Sequence, residues 1–224
     1  MARFSRLQVW NTMEEQGMVP LFYHGDAEAA KQVVRALAAG GARIVEFTNR
    51  GDRAFEVFRE LIAFTEKETP DLILGIGSVL DVPTAGLYIN LGANFVVGSV
   101  LNPEVARLCN RRKVPYFPGC ASPTEISMAE ELGVEICKIF PASELGGPAF
   151  VKAVLAPTPW TKIMPTGGVE PTYENLKGWF EAGVACVGMG SRLVRSDWIK
   201  AGNWQAITDL TAQCLAWIRD IRKK

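Results

Sequence analysis

Three charged side chains fall where a strand pattern would turn them to an inner face. In Val45-Glu46-Phe47-Thr48-Asn49-Arg50, period-two alternation puts Glu46, Thr48 and Arg50 on one side and the apolar Val45 and Phe47 on the other. In Glu135-Ile136-Cys137-Lys138-Ile139-Phe140, Lys138 shares its face with Ile136 and Phe140, an amine among hydrocarbon. Burial disfavours the ammonium form and lowers a lysine pKa by up to roughly 3 to 5 units, and a free amine near neutral pH is a carbonyl nucleophile. A carboxylate nearby can move protons, and the planar guanidinium binds both oxygens of a carboxylate at once. The competing reading is an internal ion-pair network. Three inward charges at strand ends, with no compensating charges close by, weigh against it. The other lysines fit the chemistry less well: Lys113 and Lys162 precede or open their strands, and Lys152 falls in a helix.

Two glycine-rich strand ends supply a different capacity. Pro165-Thr166-Gly167-Gly168 and Gly188-Met189-Gly190-Ser191 let backbone N–H groups approach an anion, and the following helix adds its positive end. Phosphate is the expected occupant. Gly75-Ile76-Gly77-Ser78 offers a small hydroxyl to a substrate carboxylate or carbonyl, or is simply a strand-to-helix turn. His24, in Tyr23-His24-Gly25-Asp26, reads better as a solvated loop histidine than as a substrate contact.

The elements that must position these residues recur with a regular beat. Short apolar runs open at Met18, Ile44, Leu72, Phe95, Val114, Glu135, Thr161 and Cys186, eight in all, separated by stretches of helical periodicity. Helix starts are marked by Asn102-Pro103, by the box Ser122-Pro123-Thr124-Glu125 and by Pro171; Gly92, Gly133 and Gly183 mark stops. Amphipathic segments at about 4–16 and 203–221 add terminal helices. The expected fold is α/β: a (β/α)₈ TIM barrel with an extra N-terminal helix, in which residues 1–224 form a single domain. An open doubly wound sheet would accommodate the same alternation, but its dinucleotide fingerprint lacks the third glycine after Gly75-Ile76-Gly77. In a barrel the inward charges and both glycine loops come together at the C-terminal strand ends.

With 48% hydrophobic and 21% charged residues, the 224-residue chain can build a sizeable core, which excludes disorder as its main state. Its 24 basic and 24 acidic residues sum to zero, so no global field holds nucleic acid or an acidic membrane. Five irregularly spaced cysteines read as buried thiols in a reducing compartment, and the N-terminus lacks the apolar stretch of a secretory signal; a cytoplasmic location is expected. A lone histidine and no CxxC pair argue against zinc.

The ordered set Glu46-x-Thr48-x-Arg50, Gly75-x-Gly77-Ser78-Val79, Pro118-Gly119, Lys138-x-Phe140-Pro141-Ala142, Pro165 to Gly168 and Gly188 to Ser191 resembles 2-keto-3-deoxy-6-phosphogluconate (KDPG) aldolase and its sibling 4-hydroxy-2-oxoglutarate (KHG) aldolase. The likeness runs from about Met18 to about Leu193. It implies a class I pyruvate aldolase: Lys138 forms a Schiff base with pyruvate, and Glu46 handles protons. Arg50, with Ser78 and Thr48, grips the pyruvyl carboxylate, Phe140 and Ser99 line the pocket wall, and Thr166, Gly167, Gly168, Gly190 and Ser191 hold phosphate. It also implies a homotrimer acting on a small 2-keto acid, with no metal or cofactor. Two departures stand out. Ser78 occupies a place where threonine is common, and Gly98-Ser99 replaces a Ser-Pro, removing a rigid ring from the pocket wall. Left open are a sugar-phosphate isomerase or epimerase with Glu46 as base, and a non-catalytic phosphometabolite-binding barrel.

Overall fold

The computed structural model describes residues 2–223. The first half of the chain runs α1 (Arg6–Gln16), β1 (Met18–Phe22), α2 (Ala27–Ala39), β2 (Ile44–Thr48), α3 (Ala54–Glu68), β3 (Ile73–Gly77), α4 (Val82–Leu91), β4 (Val96–Val97) and α5 (Pro103–Arg112). Then follow β5 (Tyr116–Phe117), β6 (Gly119–Cys120), α6 (Pro123–Glu131), β7 (Cys137–Ile139), α7 (Gly147–Leu155), β8 (Ile163–Pro165) and α8 (Tyr173–Glu181). The chain closes with β9 (Val187–Met189), a short α9 (Ser196–Lys200) and α10 (Trp204–Arg222). The extra N-terminal helix expected from the sequence is α1.

Each of the eight apolar runs becomes a barrel strand. The fifth is divided into β5 and β6 at Pro118, which has no N–H to offer a ladder. All pairings are parallel, in the orders β5-β4-β3-β2-β1-β9 and β6-β7-β8, and a bridge between Thr166 and Gly188 joins β8 to β9. With β9 paired to β1, the sheet returns on itself, which rules out the open doubly wound alternative.

Period two along the strands separates two cores. Inside the barrel Val19, Ile44, Ile73, Phe95, Val97, Phe117, Ile136, Met164 and Cys186 form one cluster, joined from below by Val9 and Met13 of α1. Thus α1 is a plug for the bottom of the barrel. Outside, Val45, Phe47, Leu74, Ile76, Val96 and Ile139 face the helix layer in a second cluster. The helix ends follow the sequence signals: the Asn102 side chain accepts from the amides of Glu104 and Val105, Ser122 accepts from Glu125, and Gly92, at φ +107°, ends α4 in the left-handed region. All five cysteines are free and buried. Of the six tryptophans, Trp160 alone is largely exposed, at 70%, while Trp10, Trp179, Trp198, Trp204 and Trp217 pack against the cores.

Candidate active site

Two residues further up each strand, the inner face changes from hydrocarbon to a mixture of polar side chains and glycine. Above Ile44 stand Glu46 and Thr48; above Ile136 stands Lys138; above Met164 stands Thr166. The corresponding inner positions of β3, β6 and β9 are Gly75 and Gly77, Gly119, and Gly188. These glycines are occupied space rather than weak strand positions. A Cβ on Gly77 would lie 1.7 Å from Glu46 Oε1, and one on Gly188 would lie 2.3 Å from Thr166 Oγ1. Likewise Gly75 leaves room for the Phe95 ring, and Gly119 for the Ser99 backbone. The reading of Gly75-Ile76-Gly77-Ser78 as a turn is therefore corrected. Both glycines lie inside β3, in register with Glu46 and Thr48, and Ser78 is the first residue beyond it.

Glu46 and Lys138 are buried, at 2% and 5% exposure, yet form no direct ion pair among the described residues. Burial pushes the Glu46 carboxyl above its ordinary range, opposed by the positive charges of Lys138 and Arg50. Burial likewise pulls the Lys138 amine below the ordinary lysine value of 10.5; Glu46 opposes this and Arg50 adds to it. The Lys138 Nζ lies 5.1 Å from the centre of the Phe140 ring, so the half-buried Phe140 walls the amine. An amine and a carboxyl, each held toward its neutral form and within electrostatic reach, make a pair suited to nucleophilic attack and proton transfer.

Arg50 follows β2 on an exposed loop and has no carboxylate partner among the described residues. Its charge is felt by both Glu46 and Lys138. The loop is pinned from two sides that the sequence did not reveal. Tyr88, buried in α4, donates from its hydroxyl to Asn49 Oδ1 at 2.8 Å, and Tyr23 packs where a Cβ on Gly51 would sit. Nothing in the α4 sequence distinguishes Tyr88 from a core aromatic, since its partner lies 39 residues away. Ser78, directly after Gly77, is half-buried with φ +61°. Thr48 does not bring a free donor: its hydroxyl donates to the Phe22 carbonyl at 3.2 Å and ties β2 to β1.

On the opposite side of the mouth, Thr166 Oγ1 is buried without a protein hydrogen-bond partner. Gly167 and Gly168 follow with φ +93° and +76°, a succession that suits glycine. Gly190 begins the adjacent loop, closed by amides of Leu193 and Val194 donating to the Gly190 carbonyl, with Ser191 exposed at its tip. Ser99 is half-buried, its backbone against Gly119 of β6. His24 is spent locally, its Nδ1 accepting from the Asp26 amide at 3.1 Å. Lys162 pairs with Glu14 of α1 at the bottom of the barrel, remote from this chemistry. No group of three or more metal-ligating side chains occurs among the described residues.

Residues 9–210 match the family model described as KDPG and KHG aldolase. The 2-dehydro-3-deoxy-phosphogluconate aldolase of Treponema pallidum (strain Nichols) is 35% identical over 93% of this chain and 97% of its own. The KHG/KDPG aldolase of Escherichia coli (strain K12) is 30% identical over 92% and 96%. Among solved structures, the KDPG aldolase of Legionella pneumophila, captured with pyruvate as a covalent carbinolamine intermediate, superposes with a TM-score of 0.81. It is 29% identical and covers 91% of this chain and 96% of that one.

Proposed function

The chain belongs to the KDPG and KHG aldolase family, and from that membership we propose that Lys138 and Glu46 cleave a phosphorylated 2-keto-3-deoxy sugar acid at the barrel mouth. The protein is an aldehyde-lyase of class I type. The observation that carries the residue assignment is the pair itself: one amine and one carboxyl, both buried on inner strand faces, with glycine opposite them.

Lys138, as free amine, attacks the C2 carbonyl and gives a carbinolamine. Loss of water, with Glu46 carrying the proton, gives the iminium. That cation withdraws the C3–C4 bonding electrons as Glu46, directly or through water, takes the C4 hydroxyl proton. The bond breaks to glyceraldehyde 3-phosphate and an enamine. Protonation at C3 and hydrolysis release pyruvate and restore the amine. Arg50, with the Ser78 hydroxyl, holds the carboxylate, and Phe140 and Ser99 wall the pocket. Thr166, Gly167, Gly168, Gly190 and Ser191 receive the phosphate through backbone amides and hydroxyls. Thr48 supports this wall through its bond to Phe22 rather than by gripping the carboxylate.

A second substrate, 4-hydroxy-2-oxoglutarate, is favoured by the paired name of the E. coli relative; its cleavage would give pyruvate and glyoxylate by the same steps. We further propose that the chain works as one domain, as a homotrimer, in the cytoplasm, for which its five free buried thiols are suited. No described helix is long and apolar enough to cross a membrane. The test is pyruvate release from KDPG by the purified protein. Release that Lys138→Ala reduces by on the order of 10⁴-fold or more supports the assignment; release unaffected by that substitution contradicts it.

A further inference from the structure

An ion pair bridges the two loops of the anion cradle. Arg192, next to Ser191, holds its Nη2 at 3.8 Å from Glu170 Oε1, and Glu170 lies two residues beyond Gly168. The carboxylate bearer is fixed there by Asn175, whose Oδ1 accepts from the Glu170 amide at 2.9 Å while its Nδ2 donates to the Gly168 carbonyl at 3.3 Å. Arg192 is not so fixed: its side chain is 71% exposed and its guanidinium makes no hydrogen bond to Glu170. A pair this open and this long contributes little to stability. Its position at the cradle requires another account.

Backbone amides and hydroxyls solvate an anion but carry no net charge to match it. A phosphate monoester brings close to two negative charges into a mouth where Glu170 already contributes one. Alone, that carboxylate would repel the ligand. Arg192 cancels it in the free protein, and its five donors can pass from a carboxylate to a phosphate.

Building on the aldolase reading, we propose that Arg192 selects phosphorylated substrates, with Glu170 as the ligand that phosphate displaces. KDPG carries its phosphate on C6, two carbons beyond C4, with close to two negative charges. The distal carboxylate of 4-hydroxy-2-oxoglutarate is attached directly to C4 and carries one. Arg192 therefore discriminates between two substrates that share the same pyruvyl half.

The experiment measures kcat and KM for KDPG and for 4-hydroxy-2-oxoglutarate, at low and high salt, in the wild-type protein and in Arg192→Leu, Arg192→Lys and Glu170→Gln. Arg192→Leu is expected to raise KM for KDPG by roughly three- to ten-fold with little change in its kcat. The ratio of the two kcat/KM values should fall accordingly, and the salt dependence of KM for KDPG should flatten. Arg192→Lys should restore part of the ratio, and Glu170→Gln should lower KM for KDPG. An unchanged ratio in Arg192→Leu, with wild-type cleavage intact, overturns this inference alone. Equal losses on both substrates also overturn it, marking a structural role. Absence of cleavage of either compound by the wild-type protein overturns the aldolase reading and this inference with it.

Discussion

At the scale of single residues, Lys138 has a cost as well as a use. Its folded-state pKa lies below 10.5, so between the two values the unfolded chain binds more protons, and stability rises with pH through that window. Below the folded value the penalty is present in full; above 10.5 it disappears. Lys138→Met should therefore raise Tm at neutral pH, by roughly 2–4 °C for each kcal/mol relieved. The gain should shrink steadily as pH approaches 10.5, which thermal unfolding across pH will check; a gain that grows with pH would contradict the sign. The inner-face placement of Glu46 and Lys138 was legible in the sequence because alternation alone sorts inner from outer faces, and a charge on an inner face is conspicuous; Arg50, given the same face, lies instead on the exposed loop beyond β2. Tyr88 and Asn49 were not, because their contact spans a helix and a strand end that periodicity cannot relate. Thr48 showed the opposite failure: its face was predicted, but no pattern tells whether a hydroxyl is already spent on a neighbouring carbonyl.

At the scale of elements, glycine makes room inside the upper barrel. Residue-by-residue reading treats Gly75 and Gly77 as chain-bending positions, since strands generally disfavour glycine. Their reason is instead across the barrel wall, where Phe95 and the Glu46 carboxylate occupy the missing side-chain volume. Gly77→Ala should accordingly displace Glu46 and lower kcat by about 10²-fold or more, on the scale of losing a general acid–base. Circular dichroism should remain that of the barrel. Full activity in a well-folded Gly77→Ala protein would mean that Glu46 does not need that place. Strand breaks were equally hidden: the fifth apolar run is continuous in pattern but divides at Pro118, where the ladder lacks a donor.

For the whole molecule, the alternation of eight runs and helices contained the barrel, and the amphipathic 4–16 segment contained its plug. What the pattern did not contain was the use of α1 as the seal of the barrel's other end. The bottom is sealed by Val9 and Met13 of α1, while the buried Glu46 and Lys138 stand at the top. Met13→Ala, at a fully buried position, should cost about 2–5 kcal/mol in urea unfolding while leaving kcat unchanged at temperatures where the protein remains folded. A fall in kcat without loss of stability would couple the two ends against expectation. The zero net charge acquires meaning at this scale too: under the proposed function anions would be received by backbone amides, hydroxyls and a few aimed side chains, so no basic surface is required.

The central claim is that the Lys138 amine becomes covalently joined to pyruvate. Incubation of the protein with pyruvate, reduction with borohydride and peptide mapping by mass spectrometry test it most directly. The account predicts one reduced pyruvate per chain, on the peptide carrying Lys138, and none on Lys113, Lys152 or Lys162. An unmodified Lys138 in a protein that still cleaves KDPG, or an adduct located on another lysine, would contradict it.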